Sequence, residues 1–177
     1  SADTLNLTAR QVTNGGDGSI GSQNALTASV SGFDQQGGKL FSNTQLSLDL
    51  NHGQLNNIGG LINAPGALLL KQLKGVNNQG GTISSAEAFT LTAQSLDNSD
   101  GKLLSNQGLT LRIAAALDNV KGMIGPAAID AHAASLNNSG GNLVSRGDLD
   151  LTVDGLLRND GKGLFSAAQA LGINSAE

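Results

Sequence analysis

The sequence predicts an all-β solenoid, a parallel β-helix of about eight coils, each 19–22 residues long. Three observations lead there. One short phrase recurs along nearly all of the 177 residues. The apolar residues ahead of each phrase alternate with polar ones. The composition supplies turn formers and aliphatic side chains but almost no aromatic area.

The phrase runs apolar, any residue, Asn or Gln, a glycine pair or its substitute, then Ile or Leu. Its Asn/Gln members are Asn14, Gln35, Asn57, Asn78, Asn98, Asn119, Asn138 and Asn159, with gaps of 21, 22, 21, 20, 21, 19 and 21. Downstream of them the spacing predicts an inward apolar column of Ile20, Leu40, Ile62, Ile83, Leu103, Ile124, Leu143 and Leu164. Two places further on, a small-residue column holds Ser42, Ala64, Ser85, Ser105, Pro126, Ser145 and Ser166. Upstream runs such as Leu46-x-Leu48-x-Leu50 and Leu109-x-Leu111-x-Ile113 have the period of two that marks a strand.

Other repeats of this length fail. Helical solenoids need roughly 33–47 residues per unit, and no i+3/i+4 stripe is present. A leucine-rich repeat wants Leu two places after its Asn. Those places here hold Gly16, Gly37, Gly59, Gly80, Asp100, Lys121, Gly140 and Gly161. What remains is a coil of short strands and tight turns that buries its apolar face only against its neighbours. At about 4.7–4.9 Å per layer, eight coils make a rod of roughly 38 Å. Glycine supplies positive φ at the corners, and Asn tolerates it. An inward Asn column can bond along the axis as an amide ladder, which Gln35 joins only if its coil adjusts for the extra methylene.

Composition removes several functions. The net charge is −4 and the only aromatics are four Phe, which disfavours nucleic-acid binding by phosphate contacts or base stacking. The ten Lys and Arg are scattered rather than striped. There is no Cys, so disulfides and thiolate metal sites are excluded. No run approaches the ~18 apolar residues of a membrane-spanning helix, so no membrane insertion is expected. The chain starts in mid-pattern without a signal peptide. Residues 1–177 read as a single β-helical repeat segment, a fragment of a longer rod, whose open ends expose strand edges prone to end-to-end association.

Leu136-Asn137-Asn138-Ser139-Gly140-Gly141-Asn142-Leu143-Val144-Ser145 resembles the repeats of filamentous haemagglutinin, as does Leu96-Asp97-Asn98-Ser99-Asp100-Gly101-Lys102-Leu103-Leu104-Ser105. The resemblance covers all eight repeats. It implies a right-handed β-helix and export of the full-length parent through an outer-membrane two-partner-secretion transporter. It also implies a secreted or cell-surface place on a Gram-negative bacterium. The family includes adhesins and the toxin-bearing sticks of contact-dependent growth inhibition. The family's secretion domain and terminal toxin have no counterpart in these residues. Absence of Cys agrees with threading an unfolded chain through a barrel.

Chemistry finds little support. No catalytic, cofactor-binding or metal-binding residue is assigned. Asp97 and Asp118 occupy one column in adjacent coils, where carboxylates either share a proton or a cation or splay into solvent. No third ligand recurs beside them, which favours solvent. Asp100 and Lys121 share another column and read as a weak surface ion pair. Asn14-Gly15-Gly16-Asp17-Gly18 hints at a calcium-binding nonapeptide but occurs once, as a turn. His52 and His132 lie about four coils apart and cannot meet. The third repeat, with Ala64-Pro65-Gly66-Ala67, is the longest and holds an apolar run with Lys71 and Lys74. It is either a modified face for a receptor or glycan or an insertion absorbed at a corner. The tail from Ala167 either begins a ninth coil, frays, or forms a short helix. The leading expectation is thus a structural shaft segment. A receptor- or glycan-binding adhesin module comes second, and a polysaccharide-active enzyme third.

Overall fold

A computed structural model describes residues 3–176. It contains strands and turns and, among the described residues, no helix. The strands, numbered along the chain, form two sheets. The larger stacks β1 (Leu5–Thr13), β3 (Leu26–Asp34), β5 (Leu46–Asn56), β7 (Leu68–Asn77), β10 (Ser95–Asp97), β12 (Gly108–Asp118), β14 (Ala128–Asn137), β16 (Leu149–Val153) and β19 (Leu171–Ser175) in that order. Two short strands join it, β9 (Phe89–Ala93) beside β12 and β17 (Leu157–Arg158) beside β14. The smaller sheet stacks β2 (Ser19–Ser22), β4 (Lys39–Ser42), β6 (Leu61–Ala64), β8 (Thr82–Ser85), β11 (Lys102–Ser105), β13 (Met123–Gly125), β15 (Asn142–Ser145) and β18 (Leu164–Ala167). The pairings are parallel, each strand lying on its equivalent one coil away. This is the all-β solenoid of about eight turns that the repeat predicts.

The core lies between the sheets as columns of equivalent side chains. Leu40, Ile62, Ile83, Leu103, Ile124 and Leu143 pair in succession and are fully buried. In β12, Leu109, Leu111 and Ile113 point inward while Thr110 and Arg112 point out, as the alternation requires. Outside the core, the side chain of Gln11 lies over Gly32 of the next coil, and that of Gln54 over Gly75.

Glycine pairs do two different jobs at the first corner. The residue two places after each Asn/Gln is left-handed in all eight coils: Gly16, Gly37, Gly59, Gly80, Asp100, Lys121, Gly140 and Gly161, with φ from 55° to 74°. Asp100 and Lys121 carry the same turn at the steric cost of a Cβ. The second glycine is needed for space. A Cβ on Gly122 would overlap the backbone oxygen of Asn98, and one on Gly141 that of Asn119. Hence Gly101 and Gly122 persist where the first glycine is replaced.

The structure moves three expectations. Phe165, not Leu164, pairs with Leu143, and Ala167, not Ser166, pairs with Ser145. The last coil spends one more residue at its corner, so Leu164 turns outward and is 45% exposed. The insertion of the third repeat sits not at Ala64-Pro65 but at Asn51-His52-Gly53, where the register of β3, β5 and β7 shifts. Asn51 and His52 are left-handed there. The tail forms β19 and pairs with β16, so a ninth coil begins.

The two glycine roles separate experimentally. Lys121→Gly should raise stability by about 0.5–1 kcal/mol, since relief of the left-handed penalty exceeds the added chain entropy. Gly122→Ala, one residue away, should lower it by about 2–3 kcal/mol. Urea unfolding midpoints of the two variants check both signs.

Candidate functional site

Among the described residues, every buried polar side chain belongs to one of two files running along the axis. The first is the Asn/Gln file. Asn14 Nδ2 donates to Gln35 Oε1 at 3.1 Å, and Gln35 Nε2 donates to Asn57 Oδ1 at 2.9 Å. Asn57, Asn78, Asn98 and Asn119 each donate to the Oδ1 of the next at 2.7 Å, ending on Asn138. Asn138 donates to Asn159 at 2.8 Å. The seven rungs all run from N- to C-terminal coil. The second N–H of each amide bridges to backbone, as from Asn78 to Gly81 O at 3.3 Å and Lys102 O at 3.2 Å. No buried side-chain polar atom of the described residues lacks a partner. The extra methylene of Gln35 fits in its 22-residue step to Asn57 without breaking the file.

The second file is serine. Ser85, Ser105 and Ser145 donate to Gly66 O, Glu87 O and Ala127 O at 3.0, 2.8 and 2.9 Å. Each Oγ also accepts the N–H two residues on. These local turns suit Ser because its hydroxyl both donates and accepts. Pro126 interrupts the file and has no N–H. In most coils the residue after the column gives its N–H to the previous coil, as Asn106 does to Ser85 O at 3.2 Å, although Pro65, after Ala64, cannot. Here Ala127 N–H goes to Gln107 O instead, at 2.7 Å. Arg146 makes up the deficit from two coils away, with Nη2 donating to Ser105 O at 3.3 Å and Asn106 O at 3.1 Å. Sequence spacing offered no sign of this reach.

One residue before the amide file, Asp34, Asn56, Asn77, Asp97, Asp118 and Asn137 form an outer column. Asp97 and Asp118 are directly paired, and their environments differ. Burial raises the Asp97 carboxyl. Hydrogen bonds from the Ser99 side chain, the Ser99 N–H at 2.9 Å and Gln79 Nε2 at 2.5 Å outweigh it and hold Asp97 below the ordinary carboxylate range. Asp118 is pushed up, first by burial and then by the Asp97 charge. The pair is half-buried at the ends of β10 and β12, and no group of three or more His, Asp or Glu among the described residues is placed to hold a metal.

The remaining candidates are dispersed. Asp100 and Lys121 are both exposed and do not form the expected ion pair: among the described residues the ion pairs are Arg112–Asp130, His132–Asp154 and Arg158–Asp160. Two solvated side chains gain too little from contact to offset their lost freedom. Arg112 grips Asp130 through Nη1 at 2.9 Å and Nη2 at 2.5 Å, which lowers the Asp130 carboxyl. His132 Nε2 lies 2.9 Å from Asp154 Oδ1, while His52 is exposed on the bulge of residues 51–53. A shallow groove of about 350 Å³ crosses the larger sheet, lined by Leu69, Lys71, Thr90, Thr92, Gly108 and Thr110 among others.

A protein family described as haemagglutinin repeat matches residues 1–72, 45–121 and 125–176. No curated protein and no solved structure matches the chain.

Cutting the amide file at its centre should be costly. Asn98→Leu keeps the branched shape, in a somewhat larger side chain, but deprives Asn78 of an acceptor and Asn119 of a donor. The expected loss is about 2–4 kcal/mol, measured by urea unfolding. Asp118→Asn, which places there the residue found at 56, 77 and 137, should stabilise the protein at neutral pH by a few tenths of a kcal/mol after solvent screening. The folded pKa of Asp118 lies above its unfolded value, so its penalty is complete above the folded pKa and absent below the unfolded one. The variant's advantage should therefore vanish below about pH 3. Unfolding curves at acid and neutral pH check this.

Proposed function

Because the chain belongs to the haemagglutinin repeat family, we propose that it is a segment of the elongated shaft of a secreted, cell-surface exoprotein. The observation that carries this reading is the unbroken side-chain amide file through eight coils, with no long loop inserted between them. Such a molecule converts chain length into reach at one strand spacing per coil. It would hold an adhesive or toxin-bearing region away from the cell, as in contact-dependent growth inhibition. Its parent would leave a Gram-negative cell through an outer-membrane two-partner-secretion transporter. The reading treats residues 1–177 as one repeat segment of a longer rod. It treats Asn14, Gln35, Asn57, Asn78, Asn98, Asn119, Asn138 and Asn159 as its structural site, and it needs no cofactor and no catalytic step.

A second reading, a receptor- or glycan-binding module on one face, is favoured by the bulge at residues 51–53 and the groove around Leu69 and Lys71.

Two variants test these readings, the first the repeating shaft and the second the binding face. Removal of residues 79–119 joins Asn78 to Val120 and excises two coils in register, shortening the rod by roughly 10 Å. A shaft should refold, and attachment of cells displaying the parent should survive replacement of His52, Leu69 and Lys71 by Ser. Loss of attachment with an intact β spectrum after those three replacements would favour the binding module.

A further inference from the structure

Among the described residues, one strand of the larger sheet has no ladder to the coil before it. β9 pairs with β12, but no pairing joins it to β7, although β7 pairs with β5 on its other side. The break lies between residues 68–71 and 89–92, which are one coil apart. Elsewhere the first inward residue of the strand gives its N–H to the next coil. Leu26 donates to Gln45 O at 3.0 Å, Leu46 to Ala67 O at 2.9 Å and Ile129 to Asp148 O at 2.9 Å. No equivalent bond runs from Leu68 to Ala88. Pairing resumes a few residues on, where Gln94 N–H donates to Lys74 O at 2.8 Å and Ser95 pairs with Gly75.

The opposite side is intact through the same coils. Leu61, Thr82 and Lys102 pair in succession in the smaller sheet. The file from Asn57 through Asn78 to Asn98 holds at 2.7 Å. The seam is therefore one-sided and about four residues wide.

Local features account for it. β7 contains the left-handed Gln72, with φ 52°. Successive steps shorten from 22 to 21 to 20 residues between Gln35 and Asn98. Phe89 is the one aromatic in a column of Leu and Ile. The groove described above opens over this seam.

We infer that the solenoid contains a built-in joint, in which the unpaired seam between residues 68–71 and 89–92 opens before any neighbouring part of the sheet. The smaller sheet and the amide file act as the hinge leaf, so the rod bends there with the smaller sheet on its concave side. Bonded backbone gives local protection, and its absence lowers the free energy of local opening. The joint would let the proposed shaft yield without unzipping, but its existence does not depend on that role.

Native-state hydrogen exchange of the unmodified chain, read by NMR, tests it. Amides of Leu68, Leu70, Thr90 and Thr92 should exchange roughly tenfold or more faster than those of Leu109, Leu111, Asp130 and His132 in the paired β12–β14 region. Equal protection in the two sets overturns the proposal. The chain has no cysteine, so Leu69→Cys with Thr90→Cys places a single disulfide across the seam. Closing it should slow the seam amides to the level of the paired set. Fast exchange that persists with the disulfide closed also overturns the proposal.

Discussion

A side-chain amide can donate to its copy one layer away only if every layer follows the same path. That requirement governs this molecule. The Asn/Gln file is buried, so a rung out of register would strand a donor and an acceptor away from water. Coils therefore vary in length by few residues: the bulge at residues 51–53 and the irregularity between Ile113 and Ala116 take up extra residues, the Pro126 corner is shorter, and the first and last coils take one more residue at the corner that follows the amide, none of which breaks the file. The interior apolar columns tolerate Leu, Ile and Phe. The amide file tolerates only Asn and, once, Gln.

Glycine serves that requirement in two ways. Left-handed backbone turns the chain directly after the amide, and the bare Cα that follows lets the next layer approach the carbonyl of the file. Conformation can be supplied by another residue at a cost, as Asp100 and Lys121 show. Space cannot. The corner thus combines a soft preference with a hard exclusion, and only the second explains why a bare Cα stands there in every coil, one residue later in the first and the last.

Most of the fold was legible in the sequence because each coil poses the same packing problem and receives the same answer. Asn78 and Asn98 are recognisable as equivalents since both must donate forward and accept from behind. Legibility failed where hydrophobicity could not rank neighbours. Leu164 and Phe165 are both apolar, and only the extra corner residue decides which faces inward. Pro65 drew attention to the wrong corner, because breaker residues mark turns without showing which turn is enlarged. Shared columns also overstated contact: Asp100 lies over Lys121 without pairing, whereas Arg146 reaches two layers to a carbonyl that no column would nominate. Site chemistry beyond structure had no repeating signature to read.

Gln11 over Gly32 and Gln54 over Gly75 make neighbouring layers complementary rather than identical in the N-terminal half. A long amide side chain occupies the space that the glycine above it vacates. Losing a single inner layer from this half would set glutamine upon glutamine or glycine upon glycine, while losing two would restore the match. The self-matching unit of this part of the rod is consequently a doublet of layers.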